Sequence, residues 1–358
     1  FMNPEKYKPE PNIPKVEQAE TPQEISAEQK ANYEIDQVEH DLVSRYQPKF
    51  LAKGGEHIVY EVPEHPDIVV KVSTGPLKKV IDWNAEHGQP INSLPAELES
   101  RAREYLKEET ARYQLLKKYF GADHVPSQKE FLVKVPITQE ILNALYEGNP
   151  PATTNEAWSV VMVQKRVEAL NDPNRLAIVA GYAENDEVPE DLYNQATEHF
   201  VFGKNAEEKI EKEKFLEIQS HNDLKALLEK SEGDENLRES LKELLEKIIT
   251  YTEETGEIFD LAGQDNIVLS QKDGKWTYSL VDTRYPGESK MVEKAKIALL
   301  KLSVGNEIDE HEKNVLLNIF NFVRTVNGLA EQMGTQKRIN IVPEGMTQEQ
   351  LDFLKIIR

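Results

Sequence analysis

Glu257-Ile-Phe-Asp260-Leu-Ala-Gly-Gln-Asp-Asn266-Ile-Val-Leu-Ser270, followed by Trp276-Thr-Tyr-Ser-Leu-Val-Asp282-Thr-Arg284, decides how this chain is read. The stretch leaves a helix end, crosses a polar loop, enters the short apolar run Ile267–Leu269, turns, and returns through Trp276–Val281 to an aspartate. Asp273-Gly274 sits at the turn. That dipeptide accommodates the positive φ angles that a tight hairpin requires at both central residues. Asn266 and Asp282 offer hard oxygen ligands of the kind that hold magnesium on phosphates. Asp260 is suited to orient or deprotonate a hydroxyl. Aspartate and asparagine also cap turns, so the segment alone leaves both roles open.

Upstream, Leu51-Ala-Lys-Gly54-Gly55-Glu-His57-Ile-Val-Tyr-Glu-Val62 places two glycines between strand-like runs. Glycines there let backbone N–H groups approach a phosphate with no Cβ in the way; a plain hairpin is the alternative. Ile68-Val-Val-Lys71-Val72 is a compact β-branched strand interrupted by one lysine. A buried ammonium needs a carboxylate partner, and Glu104, Glu108 and Glu109 on the next helix are the candidates.

Further out, Tyr33, Val38, Leu42 and Val43 predict a short helix between Ala27 and Tyr46. Residues 74–93, with Gly75, Pro76, Gly88 and Pro90, are expected to be irregular loop. A long helix follows over about Ala96 to Tyr119, with Leu98, Ala102, Tyr105, Leu106, Tyr113 and Leu116 as its apolar positions. Glu130–Val135 and Trp158–Val167 read as strands. Beyond about residue 168 the pattern turns helical. The stripe Leu237, Leu241, Leu244, Leu245, Ile248 and Ile249 begins there, and a final helix runs from His311 to Glu331 with Val315, Ile319, Phe322, Val323 and Val326 inward.

The composition, 39% hydrophobic and 30% charged over 358 residues, allows a packed core. A net charge of -21 repels nucleic acid and anionic membrane surfaces, which are expected not to be partners. It does not exclude a nucleotide, because basic groups and a divalent ion invert the potential inside a cleft. The absence of cysteine removes disulfides and thiolate chemistry. The eight histidines lack the spacing of a zinc protease, and neither a P-loop nor a nucleophile elbow is present. No apolar run reaches the length of about 18 residues that suits a membrane helix. A cytoplasmic location is the default expectation, with delivery as a secreted effector left open. The acidic stretch 181–205 reads as a solvated insertion, with control of acceptor access as the alternative.

Taken in order, these segments resemble the protein-kinase-like superfamily. The loop around Gly54 and Gly55 is similar to the Gly-x-Gly-x-x-Gly-x-Val pattern, with Ala52 and His57 standing where two of the glycines would be. Lys71 looks like the third-strand lysine that meets the α and β phosphates. Gln164 to Val167 resembles the hinge that receives adenine. Alignment of the long helix puts Arg112 where the paired glutamate belongs, so Glu108, one turn earlier, becomes the expected partner of Lys71. Asp260 resembles the catalytic aspartate, although Ile258-Phe259 replace the usual His-Arg and Asn266 comes six residues later instead of five. Asp282 stands at the metal-binding aspartate.

The resemblance implies an α+β, bilobal kinase-like fold. Residues 1–30 would form a proline-rich tail, 31–48 a lead-in helix, 49–167 a β-rich lobe with one long helix, and 168–358 a mostly helical lobe carrying the hairpin. It implies ATP and Mg2+ as cofactors and phosphoryl transfer to a hydroxyl on a protein or a small molecule. The missing glycines and altered catalytic loop equally suit a pseudokinase that binds nucleotide without turnover.

Overall fold

The computed structural model describes residues 27–42, 49–53, 57–88, 94–146, 151, 156–179, 223–261, 265–283 and 289–345. The expected tail up to residue 26, Gly54 and Gly55, the insertion 181–205 and Arg284 lie outside them. The fold is mixed α+β, with an antiparallel sheet and helical segments.

Five strands, β1 (Lys49–Lys53), β2 (His57–Glu61), β3 (Ile68–Ser73), β4 (Gln128–Pro136) and β5 (Glu156–Lys165), pair antiparallel in the order β1-β2-β3-β5-β4. All six residues of β3 are buried, as expected of a central strand covered on both faces. One face carries Ile58, Tyr60, Val70, Val72, Val161 and Val163, which pack into a single apolar cluster.

Three helices close that face. Helix α1 (Ala27–Leu42) buries Ala31, Ile35 and Val38, a spacing of four and then three that makes one stripe. The expected helix is present, but Tyr33 points outward and is 65% exposed. Helix α2 (Thr74–Glu86) replaces the loop expected over 74–93 and buries Leu77, Val80 and Ile81. Its Pro76 lies in the first turn, where a missing N–H costs no helical hydrogen bond, and Gly88 at φ 61° follows its end. Gly75, Pro76 and Gly88 mark the ends of a helix, and the rest of the expected loop, 89–93, lies outside the described residues. Helix α4 (Gln139–Leu145) adds Ile141 and Leu142 to the buried set.

Helix α3 (Ala96–Phe120) is the long helix of the sequence reading. Only its C-terminal end is anchored, through Leu116 and Phe120, whereas the earlier apolar positions are half-buried. Phe120 joins a second apolar cluster built on α5 (Glu235–Thr255), α6 (Met291–Ser303), α7 (Glu310–Gln332) and a second sheet. The Leu237 to Ile249 stripe of α5 is buried, as its periodicity requires. On α7, Val315, Ile319, Phe322 and Val326 are buried and Val323 is half-buried. Asp309 and Glu312 form a reciprocal capping box at the start of α7. A further helical stretch over 223–233 precedes α5.

The second sheet has the order β6-β7-β8, from β6 (Leu176–Ala177), β7 (Ile267–Lys272) and β8 (Lys275–Leu280). Asp273 at φ 53° and Gly274 at φ 75° form the expected hairpin turn. Among the described residues no helix is long and apolar enough to cross a membrane.

Candidate functional site

The second face of the five-stranded sheet buries polar side chains among apolar ones such as Val69 and Val160. Lys71 on β3 pairs with Val59 on β2 and Met162 on β5, so strand alternation puts His57, Lys71 and Gln164 on one side. These three side chains are 6%, 7% and 1% exposed. Facing them is the chain just beyond β8, residues 281–283.

Lys71 Nζ and His57 Nδ1 each lie 3.7 Å from Asp282 Oδ2. This separation exceeds the roughly 2.7–2.9 Å of a charge-assisted hydrogen bond. The Asp282 side chain keeps 34% exposure, so its oxygens remain open to a further cation. Lys71 and Asp282, 211 positions apart in sequence, are therefore brought together by the fold. The expected Lys71–Glu108 pair does not form: Glu108 is exposed on α3, and among the described residues Asp282 is the ion partner of Lys71. Glu108 lies on the solvent side of its turn, while Tyr105, Leu106 and Glu109 beside it are half-buried.

Asp282 is held through the backbone of its neighbours. The Val281 N–H donates to the Asn266 carbonyl at 2.8 Å, and Gln164 Nε2 donates to the Val281 carbonyl at 3.2 Å. On the other side, the Thr283 carbonyl accepts from Arg112 Nη2 and from the Asp260 N–H. Gln164 Nε2 also donates to Gln128 Oε1 at 3.0 Å. Its side-chain amide nitrogen is thus engaged with protein groups.

Asn266 Nδ2 donates to the Asp260 carbonyl at 3.0 Å, which turns Oδ1 away from that bond and ties the two residues together. The sequence reading therefore placed Lys71, Asp260, Asn266 and Asp282 in one neighbourhood, and they are linked there by contacts or by shared hydrogen-bond partners. Behind Asp260, Ile258 and Phe259 are each 1% exposed, and Phe259 stacks on Tyr251 with ring centroids 5.1 Å apart. Burial raises the pKa of the Tyr251 hydroxyl, and the charge of Arg112 opposes that rise.

Among the described residues no group of three or more His, Cys, Asp or Glu is placed to hold a metal ion. Asp282 and Asn266, joined through the Val281 N–H, are the oxygen-bearing side chains the sequence assigned to a metal. Such a sparse set fits magnesium, which takes one or two protein ligands and completes its shell with phosphate oxygens and water. It does not fit a structural metal cage.

Val167, expected to contact the nucleotide base, is half-buried just after β5, and its carbonyl accepts from Leu170 N–H at 3.1 Å. It lines a cavity of about 770 Å³ together with Ser127, Lys165, Asp172 and Tyr278; Lys71 and Asp282 do not line it.

Two residues of the site escaped the sequence reading as contributors. His57 counted only as a missing glycine, although alternation along β2 already placed it on the face of Val59 and hence of Lys71. Arg112 counted only as a misplaced charge in the helix alignment, yet that position does reach the site. Compared with protein-family profiles, with curated proteins and with solved structures, the chain finds no match.

Proposed function

We propose that this chain is a kinase-like protein of two lobes that binds Mg-ATP and transfers its γ-phosphoryl group to a hydroxyl acceptor. The observation that carries the reading is the approach of Lys71 Nζ to Asp282 Oδ2 at 3.7 Å, with Asn266 tied to the same segment. An amine beside a carboxylate, with an asparagine bonded to the same segment, is an arrangement a metal-bound polyphosphate can use. Magnesium, when bound, would neutralise charge on the phosphate oxygens. Lys71 would hold the phosphates from the sheet side, while Asp282 and Asn266 fix the metal.

The N–H groups of Lys165 and Arg166 donate to the carbonyls of Ser127 and Asp67. That leaves Val167 as the residue through which this reading seats the adenine. Asp260 orients the acceptor hydroxyl and takes its proton as oxygen attacks the γ-phosphorus. The bond between that phosphorus and the bridging oxygen breaks, and ADP leaves with the electron pair. The work is positioning and charge neutralisation, as this chemistry generally demands.

A second reading, a pseudokinase that binds nucleotide without turnover, is favoured by the Ile258-Phe259 pair buried ahead of Asp260 and by Asn266 lying six residues on. Thermal unfolding with Mg-ATP, Mg-ADP and EDTA tests both. Ligand at about 100 times its dissociation constant adds about 2.7 kcal/mol, and the shift should need metal and vanish in Lys71→Ala and Asp282→Asn. No shift at millimolar nucleotide ends the nucleotide reading. Where a shift is seen, labelled-phosphate transfer that stops in Asp260→Asn separates the enzyme from the pseudokinase.

A further inference from the structure

Helix α3 touches the candidate site through a side chain of unexpected sign. Arg112 is half-buried, its Nη2 donates to the Thr283 carbonyl, and among the described residues its Nε is buried without a hydrogen-bond partner. A desolvated guanidinium is costly to leave unmatched, so the bond it does make matters for where the chain sits. That bond ends one residue beyond Asp282. The same carbonyl also accepts the Asp260 N–H at 3.3 Å. One acceptor thereby joins α3, the Asp260 segment and the Asp282 segment.

A glutamate at this position could not serve, because a carbonyl needs a donor. Lys71, for its part, does not need one there, since its partner is Asp282. We infer that Arg112 is a positioning residue that couples helix α3 to the metal-binding side of the site, holding Asp282 by its following carbonyl in place of a helix glutamate holding Lys71. Displacing α3 then loosens Asp282 and leaves Lys71 in the sheet. Metal binding is what such a displacement would control. The inference rests on the nucleotide reading for its consequence, but not for the contact itself.

The test uses Arg112→Met, which keeps the stem and removes the donors, and Arg112→Lys, which keeps one donor. Hydrogen exchange of the Val281 amide is measured first in nucleotide-free protein. Loss of a charge-assisted bond should speed it at least about tenfold in Arg112→Met, with amides of β3 and β5 as in the parent and Arg112→Lys close to the parent. Nucleotide affinity is then measured with magnesium and with EDTA. The gain that magnesium confers should fall about tenfold in Arg112→Met and return in Arg112→Lys, while the EDTA value stays within about twofold. A role limited to stability would lower the melting temperature and leave the magnesium gain intact. Unchanged exchange at Val281 overturns the inference whatever nucleotide does, as does an unchanged magnesium gain. A parent that binds no nucleotide but shows the exchange effect retires the nucleotide reading and leaves the positioning role standing.

Discussion

The two faces of the five-stranded sheet are buried to a similar degree and do opposite things. On one, Ile58, Val70, Val72, Val161 and Val163 meet α1, α2 and α4 in an unbroken apolar cluster. On the other, His57, Lys71 and Gln164 meet the chain around Asp282. Burying the first set is favourable at about 25 cal/mol per Å² of apolar surface. Burying the second carries a desolvation penalty that ion pairs and hydrogen bonds offset only in part. A lysine in a strand whose residues are all buried therefore needs a charged partner, which Asp282 supplies.

Four substitutions sharpen that contrast. The largest stability loss belongs to the apolar face: Ile58→Ala should cost about 2–5 kcal/mol, seen as a lower melting temperature with the magnesium-dependent nucleotide shift retained. Losing the shift as well would mean that the faces are not separable.

On the polar face the two partners should differ. Asp282→Asn leaves the 7% exposed Lys71 without its carboxylate, at a cost of about 1–3 kcal/mol. Lys71→Met leaves a carboxylate that is 34% exposed and hydrated, so stability should change by less than about 1 kcal/mol. Denaturant unfolding measures both, and equal losses would count against the asymmetry. The smallest effect belongs to the surface. Arg101 and Glu97 approach to 2.6 Å, closer than Lys71 and Asp282, but their side chains are 69% and 72% exposed. Glu97→Ala should cost about 0.5 kcal/mol or less. A loss as large as that of Asp282→Asn would show that distance, not burial, sets the value of these pairs.

Much of the candidate site was legible because it is local. Asp260, Asn266 and Asp282 lie within one helix end, loop and hairpin, and the Asp-Gly turn declares how that hairpin closes. Lys71 stood out as a charge inside a β-branched strand. What was misread depends on docking. The partner of Lys71 was sought on α3, but Glu108 lies on the solvent side of its turn there. That the Gln164 amide binds Gln128 and the Val281 carbonyl likewise follows from docking. Helix α2 was taken for loop because its terminal glycines and proline look the same in a helix end as in a turn. On α1 the stripe of Ala31, Ile35 and Val38 faces the sheet, and Tyr33, one of the apolar positions that predict the helix, is exposed.

By itself the amino-acid sequence determined the strands of the larger sheet, the hairpin, the long helices and the short list of residues carrying charge into apolar surroundings. Those features follow from side-chain periodicity and backbone preference, which act over a few residues. The tertiary structure alone decided that Lys71 meets Asp282, that Arg112 reaches the Thr283 carbonyl, and that one sheet face packs while the other buries polar side chains. These contacts join positions more than a hundred residues apart, and only the packing of whole elements sets such distances.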